Sequence, residues 1–387
     1  MKIYSVDEYV AGLKENCLPQ VFIDFRSEHE YQQLHFKNSI NTVPEHLFER
    51  LYEFPPKTES LAIVVSQLEF QSDKSLIIDF QAKLLGKGYS VSAGIVWHKN
   101  SCDFQQLDKI SIFETGNVYY NVFFPNPSLK AHLDLIETLL LNRYVSSNSF
   151  GSCYTDLQCD SLIPSKTQGS EGLTKNLNIL DLGCGCGRDL VYMASRKIFH
   201  PIDGAEVRWR CIGLDSLDYC LLKARILALR SGFSDQIELY HAKISANSDH
   251  FLPVKNNRNL TQSNIFKFYV SCFPQYSEID PAVQFYFKSI DSLPKQYHLI
   301  TSIRFVDRGI LDSIDNLLYD GGVVFISTFV QGPNIPHFDK PAPEHCLKPN
   351  ELLDLFLNKK YKIISNAIEK IEDGRSVNTF IAQKPWP

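Results

Sequence analysis

A glycine-rich segment between an apolar run and a helical pattern constrains the fold of this chain more than any other feature. Residues 178–189 read NILDLGCGCGRD, so a strand pattern runs into alternating glycines at Gly183, Gly185 and Gly187. Glycine permits a sharp turn and the close approach of a ligand, and the N–H groups of the following helix point towards that ligand. The pattern predicts a nucleotide-cofactor loop, with an ordinary tight strand-to-helix turn as the alternative.

The acid that follows the next apolar run distinguishes between classes of cofactor. A dinucleotide-binding loop has the spacing GxGxxG, with an acid roughly 20 residues further on. Here the third glycine follows after a single residue, and Asp215, at the end of the run Cys211–Asp215, comes later because residues 199–210 read as an insertion. The spacing therefore argues against a dinucleotide, and Asp215 is a candidate for holding ribose hydroxyls.

The segment LDLGCGCG resembles motif I of class I S-adenosylmethionine-dependent methyltransferases, which has an acid followed by three alternating glycines. The resemblance implies that Asp181 and the Gly183–Gly187 loop face the methionine part of S-adenosylmethionine and that Asp215 holds its ribose. Carboxylates suit this ligand, because it carries a cationic amino group and ribose hydroxyls that donate hydrogen bonds. Hydrogen bonds to charged groups contribute roughly 1.5–3 kcal/mol each.

Length, charge and cysteine content narrow the function classes. A chain of 387 residues suits two domains, and its net charge of -5 gives no general electrostatic basis for binding nucleic acid. We expect a cytoplasmic protein without a membrane segment, because no apolar run approaches ~20 residues and the first residues lack a signal peptide's apolar core. The ten cysteines have no regular spacing and are expected to be free thiols. No metal site is predicted, because the Cys184-x-Cys186 pair has no second pair nearby.

Alternating strand and helix patterns predict an α/β protein with two domains. Residues 1–99 form the first domain, and residues 100–176 form a connector in which a helix at 128–144 precedes a polar linker. Residues 177–387 have the alternation of a doubly wound sheet, with an insertion at about 245–291. In such a sheet the cofactor lies at the carboxyl ends of the strands.

The first domain resembles a rhodanese-like module. The segments on which this resemblance rests are IDFRSEHEY at 23–31, HFKNSINT at 35–42, GKGY at 86–89 and GIVW at 94–97. The resemblance implies a sulfur-carrying cysteine directly after the strand at 61–65, but Ser66 stands there. A hydroxyl cannot carry sulfur as a persulfide, so we expect this domain to be catalytically inactive and to be a candidate docking site for a protein partner.

A later segment resembles the tellurite-resistance-type branch of class I methyltransferases, which is also found fused to rhodanese-like domains. Residues 301–311 read TSIRFVDRGIL, and the branch also has the Gly-Arg-Asp at 187–189 and the LKPNEL at 347–352. The branch pattern Arg-Tyr-Leu-His-Arg reads RFVDR here, so Asp307 replaces a histidine. The resemblance implies that Arg304, Asp307 and Arg308 contact the methyl acceptor, and two guanidinium groups there would favour a small anionic molecule. A pair of ordinary surface charges is the alternative.

Three functions follow from the sequence. The first is an S-adenosylmethionine-dependent methyltransferase of a small molecule, with a silent rhodanese-like module. The second is a methyltransferase of protein or RNA that uses the N-terminal module and the insertion for docking. The third is a non-enzymatic protein that binds the cofactor or a partner.

Overall fold

The computed structural model describes residues 1–13, 18–67, 70–98, 112–116, 118–147, 175–244, 251–253 and 288–386. These form two compact units, one from the described residues of 1–124 and one from those of 125–256 and 285–387. Both units are α/β, which confirms that part of the predicted fold class, whereas the rhodanese-like character of the first unit stays a prediction.

The first unit contains a five-stranded, entirely parallel sheet in the order β1-β6-β5-β2-β4, and its two remaining strands, β3 and β7, form an antiparallel pair. Its elements are β1 Lys2–Ser5, α1 Val6–Leu13, β2 Val21–Asp24, α2 Glu28–Gln33, β3 His35–Phe36, β4 Ser39–Asn41, β5 Ser60–Ser66, α3 Phe70–Leu85, β6 Ser90–Trp97 and β7 Phe113–Glu114. The central strand β5 is buried from Leu61 to Val65, as its continuous apolar sequence requires in a sheet covered on both faces.

The second unit contains a nine-stranded sheet in the order β12-β11-β10-β8-β13-β14-β16-β15, with β9 paired to β10. Its strands are β8 Lys175–Leu182, β9 Ile198–Phe199, β10 Glu206–Asp215, β11 Ile237–Ile244, β12 Phe251–Pro253, β13 Tyr297–Ile303, β14 Leu318–Phe329, β15 Lys362–Lys370 and β16 Ser376–Gln383. Its helices are α4 Pro127–Ser147, α5 Arg188–Ala194, α6 Asp218–Arg230, α7 Arg308–Leu317 and α8 Glu351–Asn358.

The strand order of this second sheet reverses at β8. From β8 the chain winds through β10 to β11 on one side, and it then returns to β13 and β14 on the other, with all five strands parallel. Because such crossovers are right-handed, the two halves place their helices on opposite faces of the sheet. The reversal lies at the carboxyl ends of β8, β10 and β13, where open α/β sheets bind ligands.

Apolar runs predict strands around Ile179, around Cys211 and at 237–240, 297–300, 323–327 and 379–382. These predictions are confirmed by β8, β10, β11, β13, β14 and β16. Residues 199–210 are part of the sheet: β10 begins at Glu206, and its first residues pair with β9 in an antiparallel hairpin, whereas their interpretation as an insertion stays a prediction. The sequence also gave no sign of β15, because this edge strand alternates between exposed and partly buried residues instead of forming an apolar run.

The connector is only partly a separate segment. The predicted helix is present as α4, with Leu129, Leu133, Ile136 and Leu140 fully buried, and it belongs to the second unit. The predicted linker lies outside the described residues except at its ends, where 145–147 are helical and 175–176 begin β8. Most of the predicted insertion at 245–291 also lies outside the described residues. Among its described residues are those of β12, which pairs with β11 in an antiparallel arrangement.

Candidate functional site

The glycine loop forms a tight turn at the carboxyl end of β8. Gly183, Gly185 and Gly187 have φ of 73°, 54° and 75°, in the left-handed region that side chains disfavour. The N–H groups of Gly183 and Cys184 both donate to the carbonyl oxygen of Leu214, at 2.8 and 3.1 Å. These bonds fix the loop to the neighbouring strand β10.

The surroundings of the three glycines differ. A Cβ atom at Gly183 would lie 2.8 Å from the ring of Phe305, and one at Gly187 would lie 2.8 Å from the Cβ of Ala224. A Cβ at Gly185 would meet nothing within 4 Å. Gly183 and Gly187 are therefore needed for packing, whereas the loop opens to free space at Gly185.

Asp215 is hydrogen-bonded directly to the backbone at the open position, Gly185. Its Oδ2 accepts a hydrogen bond from the Gly185 N–H at 2.9 Å, and its Oδ1 accepts one from the Leu217 N–H at 2.9 Å. The structure thus brings the acid of the second strand to the middle glycine of the loop, although the two are 30 residues apart.

Asp181 lies behind the loop, with only 3% of its surface exposed. Its Oδ1 accepts a hydrogen bond from the hydroxyl of Thr301 at 2.8 Å, across the register that pairs β8 with β13. Burial, followed by the charge of Asp189, raises the pKa of Asp181 to about 8; Asp215 acts in the same sense, and the Thr301 bond opposes them. Thr301 was missed as a site residue, although it opens the TSIRFVDRGIL segment.

Asp189 is a third carboxylate near the loop, in the first turn of α5. Its Oδ1 accepts a hydrogen bond from the backbone N–H of Asn126 at 2.6 Å. Burial raises the pKa of Asp189, while the Asn126 bond and the charges of Arg188 and Arg304 act in the opposite direction. In the sequence Asp189 stands out only as part of the Gly-Arg-Asp motif, and the structure adds it to the candidate site.

Arg304 lies directly after β13 and beside the end of β14. Its backbone has φ of 54°, and its N–H donates to the carbonyl oxygen of Ser327 at 2.8 Å. Its guanidinium forms an ion pair with Glu372 at 3.0 Å, in which both side chains are more than two-fifths exposed. Arg304 is therefore accessible at the carboxyl ends of β13 and β14.

Asp307 and Arg308 have partners within the chain. Asp307 caps α7, because its Oδ1 accepts from the N–H groups of Gly309 and Ile310. Arg308 donates to the carboxylate of Glu351 at 2.6 and 3.0 Å and to the carbonyl oxygens of Glu344 and Cys346 at 2.9 and 2.8 Å. Their contact with an acceptor stays a prediction.

In the first unit, Ser66 lies at the end of β5 and donates a hydrogen bond to Glu30 Oε2 at 2.9 Å. The nearby Asp24 and Arg26 form a buried ion pair at 2.7 Å. Arg26 also donates to the carbonyl oxygen of Leu34, and its guanidinium carbon lies 3.8 Å from the centroid of the Trp97 ring. The Asp-x-Arg motif therefore forms part of the core of this unit.

Neither a metal site nor a membrane span is found in the part of the chain that the structure describes. No group of three or more potential ligand side chains there could hold a metal ion. Within the same ranges, no helix is both long and apolar enough to cross a membrane.

Comparison with protein-family models gives no match. The chain is 22% identical over 368 residues to the uncharacterized protein UNK4.09 of Schizosaccharomyces pombe, which covers 94% of this chain and 93% of that protein.

Several solved structures are similar over about half of the chain. TehB from Haemophilus influenzae has a TM-score of 0.33 and 15% identity over 54% of this chain and 58% of TehB. A SAM-dependent methyltransferase from Geobacter sulfurreducens in complex with S-adenosyl-L-homocysteine has a TM-score of 0.30 and 15% identity, over 51% and 62% of the two chains. The cyclase SpnF has a TM-score of 0.35 and 11% identity, over 56% and 77%. This chain thus spans less than two thirds of the TehB and Geobacter chains.

Proposed function

We propose that this chain is an S-adenosylmethionine-dependent methyltransferase that acts on a small molecule. One observation carries the proposal: the glycine loop opens to free space at Gly185, and Asp181, Asp189 and Asp215 lie around it. A ligand that approaches Gly185 therefore meets the carboxylate of Asp215, which accepts a hydrogen bond from that glycine. S-adenosylmethionine carries ribose hydroxyls and a cationic amino group, both of which suit a carboxylate partner, and this ligand fits the motif I resemblance of the sequence.

The same charges argue against a dinucleotide. A dinucleotide places its pyrophosphate at the N-terminus of the helix after the glycine loop. In this chain the first turn of that helix carries Asp189, whose pKa is raised mainly by its burial. A phosphate there would add negative charge beside a carboxylate that is already costly to ionise.

The binding roles follow from position. Asp215 would hold the ribose hydroxyls beside Gly185, and the ligand would lie against the open backbone at that glycine. Asp181 would influence the ligand from behind the loop, because its carboxyl group is buried. When bound, S-adenosylmethionine supplies a methyl group already activated on sulfur. The chain's own residues then need only to align the two reactants and exclude water.

For the acceptor, Arg304 is the strongest of the three candidates. Its ion pair with Glu372 is exposed, and such pairs contribute only about 0–1 kcal/mol, so an anionic acceptor could displace the Glu372 carboxylate. Arg308 is more firmly held, and Asp307 is occupied as a helix cap. We therefore propose that Arg304 contacts the acceptor and that Asp307 and Arg308 shape the edge around it.

The binding proposal is tested by calorimetry with S-adenosylhomocysteine on the parent and two matched variants. Gly185→Ala and Gly232→Ala each place a methyl group on a left-handed residue with no atom within 4 Å, so the strain is similar, about 1–2 kcal/mol. Only Gly185 lies at the proposed site. We expect Gly185→Ala to weaken binding at least about tenfold, and Gly232→Ala to stay within about threefold of the parent.

No binding by the parent, or equal affinity in both variants, would contradict the binding proposal. The enzymatic part is tested separately, by following radiolabelled methyl transfer to small-molecule, protein and RNA acceptors. Ligand binding without transfer to any of them would favour the non-enzymatic alternative.

We further propose that the first unit is a rhodanese-like domain that carries no sulfur. The hydroxyl of Ser66, the last residue of β5, is hydrogen-bonded to Glu30, which supports a structural role for this residue. We expect no thiocyanate formation from thiosulfate and cyanide by the full chain. Turnover that disappears when Cys17 or Cys102 is replaced would show that another thiol carries sulfur; both cysteines lie outside the described residues.

A further inference from the structure

Cys186, the second of the two cysteines in the glycine loop, lies next to helix α6. A Cβ at Gly187 would be 2.8 Å from the Cβ and 3.2 Å from the Cα of Ala224, so the loop backbone touches this helix. Cys220 lies one turn before Ala224 on the same face of α6. Cys186, which directly precedes Gly187, is therefore beside Cys220, close enough for each thiol to shift the pKa of the other.

The two members of this pair differ in reactivity. The neighbouring Cys186 thiol lowers the pKa of Cys220; the hydroxyl of Tyr219 and the charge of Lys223 act in the same direction, and burial and the charge of Asp215 oppose them. The neighbouring Cys220, followed by burial, raises the pKa of Cys186. Because the thiolate is the reactive form of cysteine, Cys220 is the attacking group and Cys186 the resolving one.

The neighbouring cysteines have inert surroundings and provide controls. The sulfur of Cys184 lies 2.9 Å from the position of a Cβ at Gly213, so it is packed into the sheet. Burial, followed by the charges of Asp181 and Asp215, raises its pKa. Cys211 is fully buried in β10, and burial also raises its pKa.

We propose that Cys186 and Cys220 form a redox-modification site, at which a hydroperoxide converts the two thiols into a disulfide. The Cys220 thiolate attacks one peroxide oxygen, so an S–O bond forms, the O–O bond breaks and hydroxide or alkoxide leaves. The Cys186 thiol then displaces the hydroxyl from the Cys220 sulfenic acid and forms the S–S bond, and its proton leaves with that hydroxyl as water. For hydrogen peroxide, two thiols and one peroxide give one disulfide and two water molecules.

Closure of this disulfide changes the loop at its ligand-facing residue. A disulfide holds its two sulfur atoms about 2.05 Å apart, which pulls Cys186 towards α6. Cys186 adjoins Gly185, so this movement disturbs the open position. On the basis of the proposed function, the oxidised protein binds S-adenosylhomocysteine at least about tenfold more weakly than the reduced protein.

Peptide mapping tests the disulfide independently of ligand binding. The full chain is treated with dilute hydrogen peroxide, alkylated and digested with trypsin. The informative product joins the peptides Asn176–Arg188 and Cys211–Lys223, each of which contains two cysteines. We expect this product in the parent and in Cys184→Ser and Cys211→Ser, and its loss in Cys186→Ser and Cys220→Ser. Its absence from oxidised parent, or its persistence in Cys220→Ser, would overturn the proposal.

Calorimetry with S-adenosylhomocysteine tests the effect on the ligand. The parent is measured when reduced, after peroxide and after dithiothreitol, with Cys220→Ser under the same treatments. We expect a reversible loss of affinity in the parent and none in Cys220→Ser. Unchanged affinity in parent that has been mapped as fully cross-linked would overturn the link to the loop. If the reduced parent does not bind at all, the proposed cofactor is wrong, and the disulfide is decided by the mapping alone.

Discussion

At the scale of single residues, the feature with the clearest physical consequence is the buried carboxyl group of Asp181. It lies near two other carboxylates and receives a hydrogen bond from the neutral Thr301. Burial and the charge of Asp189 raise its pKa to about 8 from a value near 4 in an unfolded chain. The folded protein therefore holds a proton here over a pH range in which the unfolded chain has lost it.

The sign of the pH dependence follows from that proton. Between about pH 4 and pH 8 the folded state binds more protons at Asp181 than the unfolded state, so this group's contribution to stability is lost as the pH rises. We expect Asp181→Asn to remove this loss and to raise the free energy of unfolding relative to the parent at pH 8, by on the order of 1 kcal/mol or more.

Urea denaturation of the parent, Asp181→Asn and the exposed control Asp235→Asn at pH 5, 6.5 and 8 measures this effect. The control is expected to keep the parental pH dependence. An Asp181→Asn variant that loses stability relative to the parent as the pH rises would show that the carboxyl group is ionised in the folded protein.

At the scale of elements, the segments after β13 and β14 are joined at the start of α7. Arg308 connects the first turn of α7 to two carbonyl groups before α8 and to Glu351 within it. Asp307 closes the N-terminus of α7, where the first N–H groups have no partner within the helix. Together the two residues fix the segments at the carboxyl ends of β13 and β14, where Arg304 is exposed.

The cap at Asp307 gives a test that separates structure from acceptor contact. Asp307→Ala is expected to cost about 1 kcal/mol of stability, whereas Asp307→Asn retains a good N-cap and is expected to cost less. If Asp307 only caps the helix, Asp307→Asn keeps the methyl-transfer rate of the parent. A lower rate in Asp307→Asn, with parental stability and S-adenosylhomocysteine affinity, would show that the carboxylate contacts the acceptor.

At the scale of the whole molecule, the candidate cofactor site is built from the second unit. Its three glycines, its three carboxylates and Thr301 all belong to residues 125–256 and 285–387. The charged motif of the first unit has a different role, because Asp24 and Arg26 are buried against Leu34 and Trp97. A change in that motif should therefore affect stability and leave cofactor binding intact.

Removal of Asp24 tests this division. Asp24→Ala leaves the buried guanidinium of Arg26 without its anion, a change that costs about 3–5 kcal/mol, whereas the exposed control Glu45→Gln is expected to be neutral. Where Asp24→Ala does not fold, Asp24→Asn keeps the shape and provides the measurement. We expect S-adenosylhomocysteine affinity within about threefold of the parent in every folded variant. A larger loss in Asp24→Asn would show that the first unit contributes to the site.

Much of the second unit could be predicted from local patterns. The apolar runs predicted six of its strands, and the alternating glycines predicted the turn after β8, because backbone freedom and apolar burial are properties of short segments. The edge strand β15 and the hairpin of β9 with β10 escaped prediction, because their residues are held by pairing with a neighbouring strand and not by an apolar pattern of their own.

By itself, the sequence determined the loop, the strand that leads into it and the acid that follows the next strand, since each lies within one short segment. Only the tertiary structure decided which side chains meet there. Thr301 reaches Asp181 across 120 residues, and Arg308 reaches Glu351 across 43. The register of adjacent strands and the packing of their following loops fix these contacts, and no local pattern of residues encodes them. For the same reason, the sequence makes Arg308 a candidate for contact with the methyl acceptor. The structure instead pairs its guanidinium with Glu351 and with two backbone carbonyl groups on the preceding loop.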